Sequence, residues 1–426
     1  MATTPTTPTI ASPAQSLPRG FPGYVALLRD NKDVRNIWLA QVISQMGDWF
    51  NSVALLGLIN QLTHDPVLPA LVTVFTVLPH ALAGLTFSGF VADRVDRKKL
   101  ALTMDVARFF IALLPLFIRD ANTLWLGFLA IVLFSIGDSL FMPALSAAQP
   151  NLCRPHELAA ANAMQQSTWA SVSMIGAALG GAVAGVFGAR VAFVVNALSF
   201  LGSAFFLMRV RGRFSSPNSP RASNSLRALT EGFRFLKSNP RVLAFALIKP
   251  IWAVSFAAVG LFSVYSYQVY QAGDFGTSWL YAARGIGSFV GPVLLQAIFV
   301  PQTPKQYAWV IAGSLALCII GYGTWAFSLA PLVGALGIFI GHLGGGNVWT
   351  FSRIYVQKET PDHVRGRVLA LDAVGFTLGT GVFAYIIGQV ASHASPMYGV
   401  LTGVGTTLVF GLIWFGYMVR RVIFAR

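Results

Sequence analysis

Long apolar blocks recur along this chain, and they restrict its fold more than any other feature of the sequence. Two of them, residues 124–141 and 242–264, are about as long as a helix that crosses a hydrocarbon core of ~30 Å. Hydrophobic residues make up 55% of the 426 positions and charged residues 11%, whereas a soluble domain carries about 25% charged residues. The blocks therefore predict membrane-spanning helices, not the core of a soluble domain.

The hydropathy pattern predicts twelve spans, which makes the chain an all-α membrane protein. Their predicted bounds are 36–62, 67–92, 99–119, 122–149, 159–187, 189–209, 242–270, 276–299, 306–328, 331–357, 364–390 and 396–419. We expect a cytosolic N-terminal tail at 1–35, six-helix bundles at 36–209 and 242–426, the second with a short cytosolic tail, and a cytosolic linker at 210–241. The second part of that linker has the spacing of an amphipathic helix on the membrane surface.

The positive charges of the chain are divided unequally between the two sides of the predicted spans. The formal net charge is +15, and about 25 of the 30 Lys and Arg residues lie on the side of the two termini. About two, Arg119 and Arg190, lie on the other side. Since cytoplasmic loops carry the excess of Lys and Arg, both termini are predicted in the cytosol. The same distribution disfavours nucleic acid as a partner, because only the central linker could present a basic patch.

The loop after the second span carries a charged motif, GFVADRVDRKK. It resembles the signature G-x-x-x-D-R-x-G-R-[RK] of the major facilitator superfamily. The matching positions are Gly89, Asp93, Arg94, Arg97 and Lys98. Asp96 stands where the signature has Gly. The resemblance implies a charged latch at the cytosolic ends of the helices, and we expect Asp372, in the eleventh span, to complete it.

Further segments resemble a group of bacterial exporters that includes macrolide efflux pumps and the enterobactin exporter. They are WLAQVISQMGDWFNSVAL in span 1, LAAANAMQQS entering span 5, GAALGGAVAGVFGARVAFVVNALSFL across spans 5 and 6, and TPDHVRGRVLAL entering span 11. This resemblance implies two parallel pseudo-symmetric bundles and transport by alternating access at a midplane site. Drug exporters often carry G-P-x-x-G-G in span 5; Ala177 replaces that Pro here, so the direction of transport stays open.

Polar residues inside the predicted spans are the candidate site residues, because a charge at the bilayer centre costs about 2.5–3.5 kcal/mol on insertion scales. Helical spacing places a polar stripe on one face of span 1: Gln41, Ser44, Gln45, Asp48 and Ser52. Asp48 lies roughly 18 Å from the cytosolic end of its helix, near the midplane. It is the leading candidate for a proton or cation site; the alternative is a carboxylate that only holds helices together. Asp138 lies at a similar depth, and the nearby Trp49 could pack a bulky apolar substrate.

Other charged residues in the spans have separate expectations. Arg284, in span 8, is a candidate to hold an anionic substrate group or a carboxylate of the opposite bundle. Lys249 is expected to extend its ammonium group to the cytosolic surface. Asp105 and Arg108 are three residues apart and are expected to form a local structural pair. His342 is expected to be a hydrogen-bonded residue and not a titrating one.

The sequence gives no support for an enzyme. It contains no Ser-His-Asp spacing, nucleotide loop or cluster of metal ligands, and Cys153 and Cys318 lie in different settings, so no cofactor is predicted. We expect a secondary active transporter of a bacterial inner membrane that exports a small amphipathic molecule, such as a drug or a siderophore, in exchange for protons. It is expected to act as a monomer in the lipid bilayer. Two alternatives stay open: a transporter of lysolipid or another solute, and a membrane scaffold or sensor that no longer transports.

Overall fold

The computed structural model describes residues 21–86, 95–154, 156–214 and 225–420. These ranges are helical with short connections and contain no β-strand. The longer helices are α1 (Phe21–Asp30), α2 (Lys32–Leu62), α3 (Val67–Thr86), α4 (Arg97–Leu113), α5 (Trp125–Leu152), α6 (Leu158–Phe187), α7 (Ala189–Arg209), α8 (Ser225–Ser238), α9 (Pro240–Phe256), α10 (Gly273–Ile298), α11 (Pro304–Ala326), α12 (Pro331–Glu359), α13 (Asp362–His393) and α14 (Pro396–Met418). The all-α fold predicted from the sequence is confirmed.

The helices begin and end where the local sequence favours it. Asn31 caps α2, since its side chain accepts a hydrogen bond from the backbone N–H of Val34 at 3.1 Å. Thr303 and Gln306 form a capping box at the start of α11. Gly188 has φ of +84°, a conformation that favours glycine, and it allows α7 to begin directly after α6.

Each predicted span coincides with one of these helices. Within the described ranges, nine helices are long and apolar enough to cross a membrane, and α3 contains a shorter apolar stretch. Helices α2 and α10 are long but carry polar and charged residues in their interiors. The chain is therefore a multi-pass membrane protein, while the count of twelve spans stays a prediction.

Two helices lie outside the spans. The predicted amphipathic helix of the linker corresponds to α8, which packs against α13, where Glu231 forms an ion pair with Arg367. Helix α1 lies in the segment that the sequence indicated only as a tail. It packs against α2 and α6, and its Leu27 is fully buried. The division into domains stays a prediction.

We call residues 21–214 the first half and residues 225–420 the second half. Helices of the two halves meet along two lines, α6 with α10 and α3 with α13. Small residues permit the close approach: Gly181 of α6 faces Ser278 of α10, and Gly388 of α13 faces Ala70 of α3. We call the end of the molecule that contains the C-terminus of α2 and the N-terminus of α10 the outer end, following the orientation predicted from the basic residues.

Helix α9 changes its winding as it approaches the outer end. After Phe256 the chain continues as a 3₁₀ segment (Ala257–Leu261), one α turn (Phe262–Val264) and a π turn (Tyr265–Val269). A single π turn in a helix is often associated with a functional site. Here it directs Tyr267 and Gln268 toward residues of the first half and of α10.

Candidate functional site

A network of charged residues lies inside the first half, between α4 and α5. The Arg108 guanidinium donates to the Asp105 carboxylate at 2.7 Å and to the Asp138 carboxylate at 2.6 Å. The Ser203 hydroxyl of α7 also donates to the Asp105 carboxylate, at 2.6 Å, and this is the third hydrogen bond of the network. The local pair predicted from the spacing of Asp105 and Arg108 is confirmed. Sequence reasoning missed that Asp138, 30 residues further on, shares the same guanidinium.

Burial and aromatic packing hold Arg108 in place. Its side chain is 2% exposed, and its guanidinium lies 3.9 Å from the ring centre of Phe141 and 4.8 Å from that of Phe200. Asp105 is fully buried, whereas the side chain of Asp138 is 35% exposed. The network therefore has a fixed inner end at Asp105 and an accessible end at Asp138.

Asp48, on α2, is the third carboxylate of this region. The charges that act on it are those of Asp138, Arg108 and Asp105. Within the described part of the chain, its carboxylate makes no hydrogen bond or ion pair, and its side chain is partly exposed. We call Asp48, Asp105, Arg108 and Asp138 the acidic cluster. It holds three carboxylates and one guanidinium, so it has an excess of negative charge that a proton or a cation would reduce.

The polar stripe predicted on α2 does not have one common environment. Gln41 and Ser44 are buried, with 6% and 2% exposure. Gln45, Asp48 and Ser52 are partly exposed, and the Ser52 hydroxyl donates to the backbone carbonyl of Asp48 at 2.7 Å. Neighbouring helices cover Gln41 and Ser44 in this conformation, and the expectation that the stripe lines a cavity stays a prediction.

Arg284, on α10, lies among aromatic rings where the two halves meet. Its guanidinium carbon is 5.1 Å from the ring centre of Phe256, 5.7 Å from that of Trp49 and 5.9 Å from that of Tyr281. We call these three rings the aromatic cage. Trp49 belongs to the first half and meets Tyr281 edge to face at 5.4 Å. Among the described residues, no carboxylate forms an ion pair with Arg284.

A layer of aromatic and imidazole side chains continues from the cage into the second half. His342 is fully buried, and its two ring nitrogens hydrogen-bond to the Ser288 hydroxyl at 3.1 Å and the Tyr322 hydroxyl at 3.0 Å. The expectation that His342 is a hydrogen-bonded residue is confirmed. Phe376 lies 5.2 Å from Trp252 and 5.1 Å from Trp349, measured between ring centres. The layer places several aromatic rings between Arg284 and the interior of the second half.

A second buried ion pair joins α9 to α13. The Lys249 ammonium group donates to the Asp372 carboxylate, and the two side chains are 2% and 3% exposed. The ammonium nitrogen also lies 4.5 Å from the ring centre of Trp349. The expectation that Lys249 reaches the cytosolic surface was wrong, because Asp372 supplies a counter-ion inside the protein.

The latch predicted at the cytosolic side is only partly within the described residues. Gly89, Asp93 and Arg94 lie outside them. Asp372 forms an ion pair with Lys249 in this conformation, and its place in the latch stays a prediction. Two other latch positions hold the C-terminal end of α7 and the segment after it. Arg97 donates to the backbone carbonyl of Phe214 at 3.4 Å, and Lys98 to that of Val210 at 2.7 Å.

Hydrogen bonds at the outer end connect the two halves. The Tyr267 hydroxyl donates to the Asp274 carboxylate at 2.8 Å, and Gln61 donates to the same hydroxyl at 3.2 Å. Gln268 donates to the backbone carbonyl of His64 at 3.1 Å. We call these bonds the outer contact. Sequence reasoning missed it, because the π turn that places Tyr267 and Gln268 leaves no recognisable pattern in the sequence.

A separate apolar cavity of about 510 Å³ lies between α9, α13 and α14. Its lining includes Pro250, Leu247, Phe410 and Ile413, and the last three are largely exposed on the surface of the molecule. Neither the acidic cluster nor Arg284 contributes to the lining. This cavity is a groove on the surface that would face lipid, separate from the buried charges.

Comparison with known proteins agrees with this architecture. The family model described as Major Facilitator Superfamily matches residues 37–384. The chain is 24% identical over 386 residues to "Putative bacilysin exporter BacE" of Bacillus subtilis (strain 168), covering 89% of this chain and 93% of that protein. It is 20% identical over 264 residues to "Macrolide efflux protein A" of Streptococcus pyogenes, covering 61% and 65%. The superfamily indicated by the sequence motifs is confirmed, and the chain is similar to proteins named as exporters.

A solved structure shows the same fold at low sequence identity. It is a bacterial homolog of the human lysosomal transporter Spinster, in an inward-facing and occupied conformation. The TM-score is 0.72 at 15% identity, with 94% of this chain and 98% of the other covered. Because the identity is low, the likeness concerns the fold alone.

Proposed function

We propose that this chain, which belongs to the Major Facilitator Superfamily, is a proton-coupled exporter of small amphipathic compounds in a bacterial inner membrane. The observation that carries the proposal is the acidic cluster. Its single guanidinium is shared by Asp105 and Asp138, and Asp48 has no cation of its own among the described residues. A transported proton would reduce the excess negative charge, and the partly exposed side chains of Asp48 and Asp138 give it access.

Proton binding and substrate binding would be coupled through the position of Asp48. Trp49 follows it on α2 and contributes a ring to the aromatic cage around Arg284. A proton that binds Asp48 changes the charge of that residue. A substrate that binds in the aromatic cage changes the environment of the adjacent Trp49. Both events therefore act on one segment of α2, which packs against α6 and α7 of its own half.

Alternating access would require the outer contact to open. In the present conformation the outer end is closed by the bonds of Tyr267, Asp274 and Gln61, and by the approach of Gly181 to Ser278. Opening separates α2 and α6 from α10 at this end and exposes the region of Asp48 and Arg284 to the other side of the membrane. This motion is the rigid-body rocking of two bundles around a central site that such transporters use.

Three further parts of the proposal depend on different observations. The relatives named as exporters support the direction of transport. The excess of Lys and Arg on one side of the spans supports cytosolic termini. One chain supplies both halves that surround the central site, so the proposal takes a monomer as the transporting unit.

The proposal is tested with purified protein in liposomes that have an acidic interior. The probe panel contains hydrophobic amines, hydrophobic carboxylates and neutral macrocycles. We expect the wild type to accumulate at least one class of probe and to lose accumulation when the pH gradient is collapsed. Asp48→Asn should lose gradient-driven accumulation by about tenfold or more, since the carboxylate that binds the proton is gone, but keep exchange of labelled for unlabelled probe.

Asp65→Asn is the matched control for this experiment. Asp65 is exposed in the connection between α2 and α3, so the same chemical change should leave accumulation unaltered. Accumulation by Asp48→Asn at the wild-type level would contradict the proposal.

A further inference from the structure

We infer that Arg284 binds an anionic group of the transported molecule, so that the substrates are amphipathic anions or zwitterions. The inference rests on the proposed transport function and adds the chemical class of the substrate. A carboxylate with an adjoining apolar or aromatic body fits the observations, and so does a phosphate or sulfonate in the same position.

Most buried charges of the described residues have a partner of opposite charge. Arg108 is bonded to two carboxylates, and Lys249 is bonded to Asp372. Arg284 differs, because it is partly exposed and forms no ion pair with a carboxylate of the described residues. A charge inside a membrane protein is costly, and it persists where it faces a partner, a water-filled space or a ligand. Among the described residues, Arg284 has no partner of opposite charge.

The aromatic cage satisfies only part of what a guanidinium needs. Ring faces attract a cation, and a desolvated contact contributes about 2 kcal/mol. The rings do not accept hydrogen bonds from the five N–H donors that lie in the plane of the guanidinium. These donors match the oxygens of a carboxylate or phosphate in bidentate geometry. Trp49, Phe256 and Tyr281 therefore hold the cation in place and leave its hydrogen-bonding capacity for another group.

The surroundings of the cage define the rest of the molecule that would bind. Phe256 lies 5.2 Å from both Trp252 and Phe376, measured between ring centres, so an apolar surface extends from the cage into the second half. Trp49 extends it into the first half, toward Asp48. A molecule with its anionic group on Arg284 and its body along these rings would contact both halves. A zwitterion would also bring its cationic group toward the acidic cluster.

A different assignment gives Arg284 a carboxylate of the first half, Asp48, as its partner in another conformation. In the present structure, the charges acting on Asp48 do not include Arg284. The experiment below separates the two assignments, because a substrate-binding guanidinium and an internal counter-ion respond differently when Asp48 is neutralised.

The test measures binding to purified protein in detergent, without a pH gradient, by isothermal titration calorimetry. The probes are two matched pairs, octanoylglycine with octanoylglycinamide and N-acetyl-L-phenylalanine with its amide. The members of a pair differ in the carboxylate and share the apolar body. We expect the wild type to bind at least one carboxylate about tenfold or more tightly than its amide, as a charge-assisted bidentate bond predicts.

Four variants complete the design. Arg284→Gln should reduce the preference for the carboxylate to less than about twofold, and Arg284→Lys should keep part of it, since the charge remains without the fork of donors. Arg190→Gln removes an exposed arginine near the outer end and should bind as the wild type does. Asp48→Asn should keep the preference for the carboxylate. Size-exclusion profiles identify any variant that does not fold, and Arg284→Lys then carries the test.

The proposal is overturned if the wild type binds none of the carboxylates, or binds carboxylate and amide equally. It is also overturned if Arg284→Gln keeps the preference, or if Asp48→Asn loses it as Arg284→Gln does, which would make Arg284 the internal partner of Asp48. Failure of proton coupling is a separate result. It appears in the liposome experiment, whereas binding in detergent requires no gradient.

Discussion

The two halves of the molecule hold buried charge in different ways. In the first half, one guanidinium serves two carboxylates and a third carboxylate lies nearby, with two of the acids partly exposed. In the second half, Lys249 and Asp372 form a closed pair of one cation and one anion, almost without exposure. The charges of Lys249 and Asp372 cancel each other. An unbalanced and accessible cluster can exchange a proton, and this difference separates a structural role from a coupling role.

Arg284 belongs to neither pattern. It is a cation of the second half that meets Trp49 of the first half, and it has no ion pair among the described residues. The acidic cluster and Arg284 thus contribute opposite charges from the two halves. Neutralising one of these charged groups should therefore change the stability of the protein, its transport activity or both.

Removing Arg108, the cation of the acidic cluster, should have the largest effect. It should lower the stability of the folded protein. Arg108→Gln leaves the fully buried Asp105 carboxylate and the Asp138 carboxylate without their counter-ion. Breaking a buried ion pair by removing one partner costs about 3–5 kcal/mol. We expect a large fall in melting temperature in detergent, measured by a thermal unfolding assay.

A second variant shows whether charge is the cause of that loss. Asp105→Asn combined with Arg108→Gln removes both buried charges and should regain most of the lost stability. If the single variant Arg108→Gln unfolds at the wild-type temperature, the network is not what holds α4 and α5 together.

In the second half, removing one member of the buried ion pair should destabilise the protein more than removing both members. Lys249→Met alone leaves Asp372 unpaired in the interior and should cost about 3 kcal/mol or more. Lys249→Met with Asp372→Leu replaces both charges by apolar groups and should lie within about 1.5 kcal/mol of the wild type. Thermal unfolding of the two variants and the wild type provides the comparison. A double variant less stable than the single one would show that the pair does more than neutralise itself.

A smaller effect is expected where the halves touch at the outer end. A methyl group added at Gly181 would overlap the Ser278 side chain and lie 2.9 Å from the backbone carbonyl of Asp274. Gly181→Ala should therefore destabilise the closed outer end by about 1–3 kcal/mol, the usual cost of overpacking. The expected result is faster labelling of Leu56→Cys by a membrane-impermeant maleimide, because Leu56 is 3% exposed and packs in a core cluster that contains residues of both halves.

Gly405→Ala is the matched control for Gly181→Ala. An added methyl group at Gly405 meets nothing within 4 Å, so labelling should proceed at the unmodified rate. Equal labelling in the two backgrounds would contradict a closed outer end that depends on the approach of α6 to α10.

The smallest effect concerns the native thiols, one in each half. Cys153 lies just after the end of α5, and burial raises the pKa of its thiol to about 11, with the nearby Glu157 carboxylate adding to the rise. The thiolate therefore forms only as the pH rises toward 11. At pH 8 its fraction is about 0.1%, and alkylation should be slower than that of an ordinary thiol by roughly two orders of magnitude. Mass spectrometry after iodoacetamide treatment at pH 8 and pH 10 measures the rate. Rapid alkylation of Cys153 at pH 8 would contradict the prediction.

The main elements of the fold could be predicted from the sequence because apolar blocks and charged loops are local patterns. Each predicted span coincides with a helix, and α8 lies where its amphipathic spacing placed it. Helix α1 was missed, because it has only ten residues and follows a segment rich in Thr and Pro.

The site was predictable only as far as local spacing reaches. The pair of Asp105 and Arg108 follows from a separation of three residues, and the two are bonded. Asp372 and Lys249 are 123 residues apart, so their pairing depends on how α9 packs on α13, which no local pattern contains. The same reason explains why the aromatic cage, built from α2, α9 and α10, was not foreseen.

The central claim is that proton coupling depends on the acidic cluster of the first half and not on the closed pair of the second half. The most direct test compares gradient-driven accumulation with counterflow in liposomes for Asp48→Asn and for Lys249→Met with Asp372→Leu. We predict that Asp48→Asn loses accumulation and keeps counterflow, and that the double variant keeps both. Undiminished accumulation by Asp48→Asn, or loss of accumulation alone in the double variant, would contradict the account.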